Sequence, residues 1–179
     1  MDSQPTTATP QTEEVARALS ILRPEGPLLL VSINPKGDAP TVARTFQLPE
    51  ALNEAATWAV TENVSGRNCY WMPNVSLRSL HKKASKADIS SVRYVWADCD
   101  PNLPRFREYG EARDHLLNEH LLDLSDSASI VIDSGNGLQA LWRLDSTISL
   151  DGPINMDRYE QINAAIGEIF DGGHTFNCD

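Results

Sequence analysis

Residues 130–144 read IVIDSGNGLQALWRL, two apolar runs divided by Ser134-Gly135-Asn136-Gly137. Asn-Gly between extended runs is a strong tight-turn signal, so this stretch predicts two antiparallel strands, 128–133 and 138–144. Strand alternation then puts Gln139, Leu141 and Arg143 on one face, and Leu138, Ala140, Trp142 and Leu144 on the other. A turn with two glycines, a serine and an asparagine also presents backbone N–H groups of the kind that cradle phosphate oxygens. Gln139 and Arg143 lie within reach of a phosphate or base held there. A plain type I′ hairpin fits the same residues.

The rest of the chain alternates between helical and extended patterns. Helical spacing predicts helices over 13–22, 49–59, 107–122 and 157–170. The second of these opens on Pro49, where a missing N–H costs nothing. Extended patterns predict strands over 28–33, 68–72 and 91–97. The basic segment 77–86 is compatible with a helix. Adjacent strands mixed with helices indicate an α+β (mixed α/β) fold, a mostly antiparallel sheet flanked by helices.

The chain has 179 residues, of which 41% are hydrophobic, enough for one domain with a real core. Residues 1–12, rich in Thr, Pro and Gln, read as a disordered lead-in, and 13–179 as the folded domain. The longest apolar run, 27–33, is too short to span a bilayer, and residues 1–11 lack the pattern of a signal peptide. Cys69, Cys99 and Cys178 form no CxxC or Cys/His spacing. Each reads as a small buried apolar residue in a reduced, cytoplasmic protein.

Two features point to chemistry. In Tyr94-Val95-Trp96-Ala97-Asp98-Cys99-Asp100-Pro101, an apolar strand ends in two acids spaced i, i+2. On a strand that spacing puts both carboxylates on one face, where they repel unless a cation lies between them. Hard oxygen ligands suit Mg²⁺ or Mn²⁺, with substrate phosphates completing the shell. An acidic turn after a strand gives the same pattern. The second feature is charge placement. The formal net charge of −10 argues against binding nucleic acid or anionic membrane by bulk charge. Yet residues 67–93 carry six bases (Arg67, Arg78, Lys82, Lys83, Lys86 and Arg93) against one acid, Asp88. A basic stretch just before a paired-carboxylate strand suits a phosphate-bearing substrate, and a solvated basic face fits it equally. His81 lies within this stretch. His115 and His120 fall on a predicted helix and make unconvincing ligands.

In these residues the chain resembles the primase-polymerase domains of the archaeo-eukaryotic primase superfamily, nearest to the RepB-like primases of phages, plasmids and integrated elements. The resemblance spans residue 13 to the end and rests on four segments in order. These are Asn68-Cys69-Tyr70-Trp71-Met72-Pro73-Asn74, Lys82-Lys83-Ala84-Ser85-Lys86-Ala87-Asp88-Ile89, Val95-Trp96-Ala97-Asp98-Cys99-Asp100-Pro101, and the run Asp133–Leu144 with its Ser-Gly-x-Gly turn.

The resemblance implies an archaeo-eukaryotic primase, RRM-like catalytic core and a two-metal nucleotidyl transfer. It implies Mg²⁺ or Mn²⁺ held by Asp98, Asp100 and a third acid, Asp171 or Asp179, with Asp171 preferred. Ser134, Gly135, Asn136, Gly137, Gln139, Trp142 and Arg143, with Lys82, Lys83 and Lys86, would bind the nucleotide. Its partners would be single-stranded DNA, (d)NTPs, and a helicase domain or replication initiator. Many relatives carry His at the position of Gln139, which cannot take up positive charge. Relatives also continue into an Arg-rich segment ending in Pro-Gly-Thr, so the resemblance implies a domain cut short at its C-terminal end. The alternatives are a noncatalytic nucleic-acid- or nucleotide-binding remnant of the same fold, a regulatory partner protein, or a metal-dependent nuclease using the same acid pair.

Overall fold

The computed structural model describes residues 11–101, 108–121, 127–135, 137–151, 154–171 and 176–178. These form an α+β structure with antiparallel sheets and four α-helices. The chain groups into two compact units, one ending at Ser90 and the other beginning at Ser91. No helix among the described residues is long and apolar enough to cross a membrane.

The first unit runs α1 (Thr12–Leu22), β1 (Gly26–Ile33), β2 (Val42–Leu48), α2 (Leu52–Val64), β3 (Asn68–Trp71) and β4 (Val75–Ser76). The first three strands make a sheet in the order β2-β1-β3. β1 is central and loses both faces from solvent, which is why it is apolar without alternation. Leu28 and Leu30 point to one face, packing with Leu19 of α1 and Ala55, Ala56 and Ala59 of α2. Alanines at those positions let the helix approach closely. Leu29 and Val31 point to the other face, against Ala43 and Leu80.

Three expectations change in this unit. β2 carried no predicted strand, because Arg44, Thr45 and Gln47 interrupt its apolar residues. Pairing with β1 supplies what the pattern lacked, setting Phe46 opposite Leu28 and Leu48 opposite Gly26. α2 begins at Leu52, not at Pro49. Pro49 follows a cis peptide, and its carbonyl accepts the Leu52 N–H at 3.1 Å in a turn before the helix. Residues 77–86 form no helix. Leu80 N–H donates instead to Thr45 Oγ1 at 2.9 Å, and only a 3-10 turn, Lys86–Asp88, is helical.

The second unit contains most of β5 (Ile89–Pro101), then α3 (Tyr109–His115), β6 (Ile130–Asp133), β7 (Leu138–Ser149), α4 (Met156–Asp171) and β8 (Phe176–Cys178). β7 lies between β5 and β6, and β8 pairs with the end of β5. The helix expected over 107–122 is α-helical only to His115 and continues as a π turn, Leu116–Leu121. Ala97, Cys99, Leu138 and Ala140 form the core beneath the sheet, against Ala112 and Leu116. Val92, Val95 and Tyr159 gather a second core with Trp142, Leu144 and Ile162.

Helix α4 closes the edge of β5. Tyr159 Oη donates to Tyr94 O at 2.9 Å, and Asn163 Oδ1 accepts the Trp96 N–H at 3.2 Å. Tyr159 and Asn163 stand four apart on the helix, one above the other. Residues 94 and 96 of a strand point their edge groups the same way. Two side chains thus satisfy the edge groups that a neighbouring strand would otherwise take.

Candidate functional site

The site is built at the end of β5 and the turn between β6 and β7, all in the second unit. Along β5, Ala97 and Cys99 are buried, Asp98 is half-buried and Asp100 is exposed. The two acids therefore share the outward face, as their spacing requires. Asp98 sits directly opposite Gln139 on β7. Gln139 Nε2 donates to Asp98 Oδ2 at a long 3.4 Å. Leu138, one residue earlier, pairs with Cys99 in the core.

Gly137 lies against the second acid. A Cβ there would collide with Asp100 Oδ1 and stand 2.8 Å from Cys99 O. Real Cβ atoms do not approach that closely, so only glycine lets the turn reach Asp100.

The turn has four residues, not a two-residue Asn-Gly corner, because Asp133 pairs with Leu138. Gly135 takes the left-handed conformation, φ 83°. Ser134 closes the turn. Its N–H and Oγ donate to Gly137 O at 3.0 and 2.9 Å, and its Oγ accepts the Gly137 N–H at 3.0 Å.

Asp133 anchors the whole. Its carboxylate accepts the Gly135 N–H at 2.9 Å, Tyr109 Oη at 2.8 Å and Arg113 Nε at 2.7 Å. Tyr109 and Arg113 are four residues apart on α3, and their spacing delivers both donors to one carboxylate. The Tyr109 bond, with the Gly135 and Arg113 donors, holds Asp133 below the usual carboxylate range. Burial, then the hydrogen bond and charge of Asp133, push the Tyr109 phenol up to about 12.

The N–H groups of Ser134, Gly135 and Gly137 are thus engaged inside the turn. As folded, the turn offers rigidity and close approach to Asp100 rather than a ring of open donors. Sequence reasoning missed Asp133, Tyr109 and Arg113 as organisers. The available signal was an acid immediately before Ser-Gly, the pattern in which a carboxylate bonds the N–H two residues on.

The other expected residues distribute as follows. Arg143 is exposed, with its N–H donating to Ser129 Oγ at 2.9 Å. Trp142 is half-buried and packs into both cores of the unit. Asp171 is the last residue of α4. Asn136 and Asp179 lie outside the described residues, as does His120's side chain. β8 runs beside the acid strand, with Asn177 at the register position facing Asp100. Among the described residues no group of three or more His, Cys, Asp or Glu side chains converges to hold a metal.

The basic stretch belongs mainly to the first unit, where Arg67 and Arg78 have structural work. Arg67 donates to Ser32 Oγ at 2.6 Å and to Pro40 O at 2.7 Å, and pairs with Glu62 at 3.0 Å. Arg78 pairs with Asp88 at 3.2 Å. Asp88 also accepts the Ser85 N–H and Oγ–H at 3.0 and 2.6 Å. Those Ser85 bonds, then Arg78, hold it down to about 2. Lys82, Lys83 and Lys86 are exposed.

Comparison with protein-family models, with curated proteins and with solved structures gives no match.

Proposed function

We infer that the chain is a metal-dependent nucleotidyl transferase, a primase-polymerase catalytic domain that makes primers on single-stranded DNA from (d)NTPs. The observation that carries this reading is the outward-facing pair Asp98 and Asp100, with a glycine turn packed against Asp100. Two carboxylates on one strand face are hard-oxygen donors that fit Mg²⁺ or Mn²⁺. Such ions, when bound, supply activation of the attacking 3′-hydroxyl and neutralisation of the leaving pyrophosphate. Asp98 and Asp100 would contribute the negative charge that retains them. Gln139 holds the Asp98 carboxylate in place by hydrogen bond. Gly137 lets the turn pack against Asp100, Asp133 fixes the turn, and exposed Arg143 offers a counter-charge for phosphate. Positioning and charge dominate such in-line displacements, so little covalent chemistry is asked of the protein.

One observation favours a second reading. The engaged N–H groups of the turn suit a fold retained for binding without synthesis. Incubation with labelled single-stranded DNA, nucleotides and Mg²⁺ or Mn²⁺ separates the cases. Extension or dinucleotide formation that Asp98→Asn with Asp100→Asn abolishes supports transfer. Cleavage instead indicates a nuclease, and binding with neither product indicates the noncatalytic module.

A further inference from the structure

The face of the first sheet turned away from α1 and α2 is only partly covered. Leu29 and Val31 of β1 are sealed by Ala43 and Leu80, but a cavity of about 420 Å³ opens beside them. Its floor is Leu29, Val31 and Ile33, its walls include Tyr70 and Met72, and Lys83 stands on its lining. That volume falls within the usual range of ligand pockets, about 300–1,000 Å³. Tyr70 faces Val31 across the β1–β3 pair, and 48% of it is exposed. Tyr70 thus offers a half-exposed ring on the lining of the cavity.

The charge of the segment over this cavity departs from that of the chain. Net charge is −10 overall, yet residues 77–87, which pass over this face, include Arg78, Lys82, Lys83 and Lys86 and no acid. Asp88, the next acid, is 5% exposed and its carboxylate is taken up by Ser85 and Arg78. Lys82, Lys83 and Lys86 are exposed there, and Asp88 acts on Lys82 as well as on Arg78. A single carboxylate needs one base. Several exposed bases along one segment, beside an aromatic ring over an apolar floor, suit a chain of phosphates with flat bases.

We propose that this cavity holds one unstacked base of a single-stranded nucleic acid against Tyr70, with the adjoining phosphate toward Lys83. The assignment rests on the nucleic-acid part of the function inferred above and is independent of the acid pair. Stacking on an aromatic side chain tolerates any base, so the site would grip template without reading its sequence.

Fluorescence anisotropy of the full chain with a short labelled oligo-dT tests this. Tyr70→Ala is expected to weaken binding about tenfold, and Tyr70→Phe to retain it. Lys83→Ala is expected to lower the slope of log affinity against log salt by about 0.7. Asp98→Asn with Asp100→Asn should abolish synthesis while leaving this binding intact, so failure of the catalytic reading and of this site are distinguishable. Near-UV circular dichroism checks that the variants fold, and Tyr70 being half-exposed makes this a mild change. Unaltered affinity in both Tyr70→Ala and Lys83→Ala overturns the proposal. Displacement of the strand by dTMP at matched nucleotide concentration overturns the strand assignment in favour of a free-nucleotide site. Displacement by a long-chain fatty acid overturns both.

Discussion

Gly137 approaches Asp100 so closely that a single added methyl group would meet the carboxylate oxygen and the Cys99 carbonyl together. The turn and the acid strand are therefore one unit of geometry. Gly137→Ala must displace either the turn or Asp100. Forcing a methyl into a filled space costs typically about 1–3 kcal/mol. Urea unfolding should show a loss of that size, and Mn²⁺ affinity measured by electron paramagnetic resonance should fall with it. A variant with native stability would mean the turn moves freely.

Tyr109 and Asp133 make a second prediction, in alkali. The Tyr109 phenol is raised from 10.0 to about 12, so the folded chain holds that proton more tightly than the unfolded chain. The stability contributed is whole below pH 10.0 and is lost as pH rises through about 12. Absorbance titration near 295 nm should show a late component that is absent in Tyr109→Phe and moves earlier in Asp133→Asn. A titration curve unchanged in both variants would contradict this role of Asp133.

In acid the corresponding group is Asp88. Its carboxyl is lowered from 3.8 to about 2, so its contribution is complete above pH 3.8 and disappears as pH falls through about 2. Ser85→Ala removes the largest cause and should move the folded value back toward 3.8. Carboxyl NMR titration reads the shift directly. An Asp88 that titrates unchanged in Ser85→Ala would show that Ser85 does not hold it.

The α4 edge contact predicts a stability effect without a change in chemistry. Tyr159 is 6% exposed and its hydroxyl is bonded to Tyr94 O. Tyr159→Phe keeps the ring and removes the donor to Tyr94 O, costing about 0.5–1.5 kcal/mol by denaturant unfolding. A cost below about 0.5 kcal/mol would mean the carbonyl finds another partner.

Local pattern made much of this protein legible. β1, β5 and the β6–β7 hairpin follow from apolar runs and a glycine turn, and α1 and α4 follow from helical spacing. The shared face of Asp98 and Asp100 follows from the two-residue period of a strand. Arg67 shows where such inference stops. By sequence it is one more base in a basic stretch. Folded, it is the clamp that joins Ser32, Pro40 and Glu62, residues distant along the chain.

β2 and the organising role of Asp133 were decided by partners that no local window contains. β2 is a strand because β1 lies beside it, and the turn is fixed because α3 brings Tyr109 and Arg113 to one carboxylate. The sequence by itself determined which residues alternate, turn and carry charge, since those depend on backbone period and side-chain type. Only the tertiary structure decided which charges are spent on the fold and which remain exposed. A hydrogen bond between distant residues exists once the chain has brought them together.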